Sequence, residues 1–191
     1  MLPQAKKIRA ILIPGNGGPT PQDNWFPYLE QELPKLGIEV INVQFPDPIL
    51  ARQKFWLPFI EQLGADDQTI LIGHSSGAIA AMRYAETHKI LGSVLVGACH
   101  TDLNSDDEKA SGYFDRPWDW EKIKNNQKWL IIFASEDDPF IDIAEPRFLA
   151  EKLQPYYYEF ENRKHFGHAQ DIQNTFPELV AAIKKALNNN L

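Results

Sequence analysis

Ser75, an acidic turn at 136–138 and a histidine pair at 165 and 168 follow one another in the chain order serine, aspartate, histidine. A serine hydroxyl is a weak nucleophile until a base takes its proton, and the base needs a carboxylate to fix its tautomer. Ser75 is the middle residue of Gly73-His74-Ser75-Ser76-Gly77, a G-x-S-x-G pattern. It is preceded by the β-branched run Ile70-Leu71-Ile72 and followed by the alanine-rich stretch 78–82. Strand, sharp turn and helix are the context in which that pattern exposes a nucleophile. An ordinary strand-to-helix turn that happens to hold a serine is the bland alternative. Among Glu136, Asp137 and Asp138, Pro139 biases Asp138 toward an extended conformation, which points to Asp138 as the carboxylate and Asp137 as second choice. A solvated acidic turn capping the next helix competes, although Asp142 already suits that task.

The tetrahedral intermediate of acyl transfer needs two N–H donors. Ser76, at the start of the helix after the elbow, supplies one. Asn16, in the loop Pro14-Gly15-Asn16-Gly17-Gly18-Pro19, is expected to supply the other. A phosphate-binding role for this loop is disfavoured because the Lys-Ser/Thr of a P-loop and the G-x-G-x-x-G of a dinucleotide fold are both missing. His165-x-x-His168 with Asp171 could ligate a metal, yet Phe166 stands where a zinc protease carries its glutamate, so no metal and no cofactor are expected. For the base, His168 follows Gly167, whereas His165 lies closer to the end of the strand that must present it. The spacing favours His165. Cys99 closes an apolar strand and reads as a buried structural thiol. Tyr113 and Phe114, in a polar excursion over 100–117, are the aromatic residues expected to line a substrate pocket; Phe55/Trp56 and Trp118/Trp120 read as core.

The elements that must position these groups alternate along the chain. Strands are predicted at 8–13, 38–43, from Ile70 into the elbow, and at 91–98, 129–134 and 156–161. Helices are predicted at 24–36, 49–63, 76–88, 119–126, 143–153 and 176–187. Pro34 should distort the end of the first helix and Gly37 should stop it. Such alternation argues a parallel sheet with helices on both faces and chemistry at the carboxyl ends of the strands. The glycine loop, the elbow, the acidic turn and the histidine segment all fall at those ends.

The chain has 191 residues, 43% hydrophobic and 24% charged, enough for a single domain over 1–191 with a real core. A formal net charge of −7 opposes nucleic-acid binding. One cysteine excludes an intrachain disulfide and fits a reducing compartment. No apolar run approaches the length of a membrane span, and the N-terminus runs almost directly into a strand, so a cytoplasmic protein without membrane partners is expected.

With these residues in place the chain resembles the retinoblastoma-binding protein 9 family of serine hydrolases, related to bacterial YdeN-type proteins. The resemblance rests on 14–18, Pro46-Asp47-Pro48, Trp56-Leu57-Pro58-Phe59, 73–87, Ala110-Ser111-Gly112-Tyr113-Phe114, 120–124 and Asp137-Asp138-Pro139-Phe140. It implies an α/β-hydrolase fold of about six mainly parallel strands without a large cap domain, acting on a small ester or amide. The family's triad serine falls on Ser75, its aspartate on Asp138, and its Gly-His-Phe on Lys164-His165-Phe166. Lys164 thus replaces a glycine, and 167–172 is an insertion relative to the animal member. The L-x-C-x-E motif for retinoblastoma protein would fall at Leu63-Gly64-Ala65-Asp66-Asp67, where cysteine and glutamate are both missing, so that partner is not expected. A non-catalytic scaffold on the same fold is the competing function; a complete Ser, Asp and His set favours the enzyme.

Overall fold

A computed structural model describes residues 7–167 and 173–190. His168 and Asp171 lie outside the described residues. Six strands form one parallel sheet: β1 (Arg9–Ile13), β2 (Glu39–Ile41), β3 (Thr69–His74), β4 (Gly92–Val96), β5 (Trp129–Ser135) and β6 (Tyr156–Phe160). Their spatial order is β2-β1-β3-β4-β5-β6. The chain winds outward from β1 to β2, then returns to the other side of β1 with β3. The reversal opens a crevice at the carboxyl ends of β1 and β3, where doubly wound sheets bind ligands.

Alternate residues of each strand enter two cores. Ile11 and Ile13 of β1 face one, with Leu71, Leu95 and Ile132 from neighbouring strands. Trp56 and Ile60 of α2 (Gln53–Gln62), all of α3 (Ser76–Ala85) and Leu149 of α6 (Ala144–Leu153) cover that face. Ala10 and Leu12 face the other, against Phe26 and Leu29 of α1 (Phe26–Glu32) and Leu179 and Ile183 of α7 (Pro177–Asn190). Burial on both faces explains why the central strands read as continuous apolar runs rather than alternating ones.

The first predicted helix ends as anticipated from Pro34. Its α-helical part stops at Glu32, Leu33–Leu36 tighten into a 3-10 turn, and Gly37 closes it at φ 77°. Two expectations are corrected. Residues 100–117 are not wholly irregular: α4 (Asp106–Ser111) forms there because Ser105 Oγ accepts the Glu108 N–H and three acidic side chains occupy its first turn. Phe55 is not core but 41% exposed, its ring facing the Arg52 guanidinium. Among the described residues no helix is long and apolar enough to cross a membrane.

Candidate active site

The elbow depends on backbone contact that side chains would forbid. A Cβ on Gly73 would lie 2.3 Å from the Gly77 carbonyl group, and one on Gly77 would lie 2.3 Å from the Ile13 carbonyl oxygen. Glycine at both positions lets α3 start directly behind β1 and β3. Ser75, between them, is held at φ 54°, ψ −122°. That region is costly for a residue with a side chain, and such strain persists only where the surroundings over-determine it. Here the Ser75 N–H donates to Val96 C=O at 2.9 Å, and the Ser75 C=O accepts from Ala78 N–H at 2.8 Å.

Ser75 lines a cavity of about 850 Å³. His165 lines it too, and its Nδ1 lies 2.7 Å from Asp138 Oδ2, with both side chains nearly buried. The other Asp138 oxygen accepts the N–H groups of Phe140 (2.9 Å) and Ile141 (3.1 Å). The carboxylate is therefore fixed from behind and presents one oxygen to the ring. Nδ1 carries the proton in this arrangement, leaving Nε2 as the basic nitrogen.

Hydrogen bonds to its backbone hold the segment that carries His165. Ser135 Oγ accepts the Arg163 N–H (2.9 Å), Asp137 Oδ1 accepts the Lys164 N–H (2.7 Å), His74 Nε2–H donates to the His165 carbonyl (2.8 Å), and Trp25 Nε1–H donates to the Phe166 carbonyl (3.0 Å). Lys164 takes φ 45°, so the lysine occupies the left-handed region that a glycine would enter without strain. Asp137 also accepts the Ser135 hydroxyl at 2.6 Å. Burial pushes its carboxyl up, but the Ser135 hydroxyl and the Lys164 N–H outweigh that and hold it below the ordinary carboxylate range.

Asn16 and Ser76 flank Ser75 in the same cavity. Neither backbone N–H donates to an acceptor among the described residues. The Asn16 side chain donates from Nδ2 to Glu108 Oε1 at 3.0 Å. Burial raises the Glu108 carboxyl above its usual value, with the Asn16 bond opposing. Burial likewise pushes the Cys99 thiol well up, leaving it poorly nucleophilic although it reaches the cavity wall.

Tyr113 and Phe114 require correction. Tyr113 is 0% exposed and packs into the core on the α3 side of the sheet; Phe114 packs edge-on against Trp118, beside a separate shallow recess. The excursion does wall the cavity, but with its first half: Leu103, Ser105, Asp107 and Glu108. The reason lies in how it is anchored. Glu145 accepts the N–H groups of His100 and Thr101 at its start. Arg83, fully buried on α3, donates to the carbonyls of Tyr113 (2.8 Å) and Arg116 (2.7 Å) near its end. Those last bonds drag 113–117 down onto α3 and away from Ser75. Sequence reading missed Trp25 and Glu108, whose partners lie 141 and 92 residues away and leave no local signal.

A family model described as Serine hydrolase matches residues 10–184. The chain is 46% identical over 187 residues to Serine hydrolase RBBP9 of Rattus norvegicus, covering 96% of this chain and 97% of that one. Among solved structures, the ydeN gene product from B. subtilis superposes with a TM-score of 0.84 at 22% identity, covering 95% of this chain and 99% of that one. Est1E from Butyrivibrio proteoclasticus, solved with ferulic acid bound, superposes at 0.74 with 11% identity, covering 98% and 91%. The two structural likenesses carry the α/β-hydrolase fold.

Proposed function

Because the chain belongs to the serine hydrolase family, we propose that it cleaves a small ester or amide through an acyl-enzyme on Ser75. The observation that carries this reading is the 2.7 Å Asp138–His165 contact in the same cavity as a serine held at φ 54°. His165 Nε2 takes the Ser75 Oγ proton as the oxygen attacks the carbonyl carbon. The negative charge that develops on the carbonyl oxygen is met by the N–H groups of Asn16 and Ser76. Collapse expels the alcohol or amine, which receives the proton from His165. Water then attacks the acyl-enzyme, His165 takes its proton, and Ser75 leaves with that proton restored. No metal or cofactor enters these steps, since one imidazole handles every proton. A small-molecule substrate suits the cavity's size, and the lone buried thiol suits the cytoplasm.

Labelling with a fluorophosphonate, followed by peptide mapping, tests the proposal. The label is expected on Ser75 and lost in Ser75→Ala, and a panel of activated esters and aminoacyl amides then ranks the leaving groups. Label on Ser76, or none at all, would turn the reading toward a non-catalytic protein on a hydrolase fold.

A further inference from the structure

Asn16 sits on a loop that touches the nucleophile: a Cβ built on Gly15 would lie 3.2 Å from Ser75 Cβ. Downstream, the loop is tied to the segment before α2, because Gly17 N–H donates to Ile49 C=O and Gly18 N–H to Pro48 C=O, each at 3.0 Å. Those bonds fix the peptides after Asn16 and leave its own N–H with no acceptor among the described residues. What fixes Asn16 itself is its side chain, and the partner of that side chain is Glu108 at 3.0 Å. Glu108 comes from α4, in the excursion, and lines the same cavity. It is placed there by the Ser105 cap and by the excursion's anchors at Glu145 and Arg83.

Resting on the reading of Ser75 as the acylated residue, we infer that Glu108 is a positioning residue that, through the Asn16 side chain, holds the Asn16 N–H where the oxyanion forms. The bond needs an acceptor on residue 108, not a charge. A charge would oppose the developing oxyanion, so an uncharged acceptor at the same place serves as well. Removing the acceptor frees the Asn16 side chain, and the peptide between Gly15 and Asn16 can then turn. The loss falls on the transition state, where the donor acts, and not on ground-state binding.

The test compares Glu108→Ala, Glu108→Gln, Asn16→Ala and the Glu108→Ala/Asn16→Ala double variant with an activated ester, alongside Ser75→Ala. Misplacing one oxyanion donor is expected to lower kcat roughly 10- to 100-fold with KM within about twofold. Glu108→Gln, which keeps an acceptor facing Asn16, is expected to recover kcat to within about threefold of the parent. The double variant should lose no more than the worse single one, because both changes break one bond. A kcat within about twofold of the parent in Glu108→Ala, multiplying losses in the double variant, or a change confined to KM would each overturn the inference. If Glu108→Ala does not fold, judged by its thermal melt, Asn16→Ala alone decides, and an undiminished kcat there overturns it. Activity persisting in Ser75→Ala would instead refute the hydrolase reading, a distinct outcome.

Discussion

Gly97, the residue after β4, stands against the His165 ring, and replacing it with alanine tests the geometry of the whole Asp138–His165 pair. A Cβ there would lie 3.0 Å from His165 Cε1, 3.1 Å from Nδ1 and 3.7 Å from Asp138 Oδ2. Its φ is 58°, so alanine also meets the left-handed penalty. That backbone cost is about 1–2 kcal/mol, offset by about 0.4–1 kcal/mol from the stiffer unfolded chain. Gly37→Ala isolates this part, since Gly37 has φ 77° and a Cβ there would meet nothing within 4 Å. Gly97→Ala adds overpacking of about 1–2 kcal/mol as the ring gives way by a few tenths of an ångström. In a chain of this length each kcal/mol lowers Tm by about 2–4 °C, so losses of about 2–4 °C for Gly37→Ala and roughly 5–10 °C for Gly97→Ala are expected. A 1 Å misplacement can cost about 100-fold in rate, so a displacement of a few tenths should lower kcat roughly 10-fold, in Gly97→Ala alone. Thermal melts and turnover of an activated ester read both quantities. Equal Tm losses, with kcat for Gly97→Ala within about twofold of the parent, would refute the placement of His165 against Gly97.

Asp138→Asn should lower kcat by about 10⁴-fold with the fold intact, because the amide oxygen stays on the Phe140 and Ile141 N–H groups and its NH₂ turns His165 into the wrong tautomer. Asp137→Asn should cost less than about 10-fold, since an amide oxygen can still accept the Lys164 N–H. Asp137 also carries an acid dependence. A carboxylate held below its ordinary pKa lends stability that is complete above the unfolded value and fades as pH falls through the folded one. The Asp137 anchor should therefore fail only below about pH 4, and Asp137→Asn should lose that acid dependence in its Tm. Tyr113→Ala should destabilise by about 3–5 kcal/mol without changing ester preference, and Tyr113→Phe should leave Tm level or higher, because the buried hydroxyl has no partner among the described residues. A changed preference in either variant would return Tyr113 to the pocket.

What could be read from the sequence was what local physics decides. The alternation of apolar runs set the six strands and their parallel sense, and Pro34 with Gly37 set the end of the first helix. The elbow was legible because its requirement, two residues without Cβ on either side of the turn residue Ser75, is local. The pocket wall was not. Tyr113 and Phe114 sit in a polar stretch, and nothing near them says that Arg83, thirty residues upstream, takes the carbonyl of Tyr113 and buries the ring. Aromatic residues in a polar excursion read as pocket-lining, while the residues that reach the cavity, Asp107 and Glu108, sit in a stretch that reads as polar and irregular and carries no local sign of α4.

The two adjacent acids after β5 show how a lysine in the left-handed region is held one residue before His165. Asp138, followed by Pro139, keeps its side chain on the His165 ring. Asp137, pointing the other way, is then free to take the backbone of the loop, and it binds the N–H of Lys164 itself. A lysine in place of glycine at φ 45° carries a conformational cost of about 1–2 kcal/mol. A charge-assisted hydrogen bond to the same residue contributes about 1.5–3 kcal/mol. Ser135, His74 and Trp25 add neutral bonds to Arg163, His165 and Phe166 on either side. Lys164 is thus tethered at its own N–H, and the ring one residue later inherits a backbone held on both sides. The position of His165 is set by its neighbours' bonds more than by the conformational ease of residue 164.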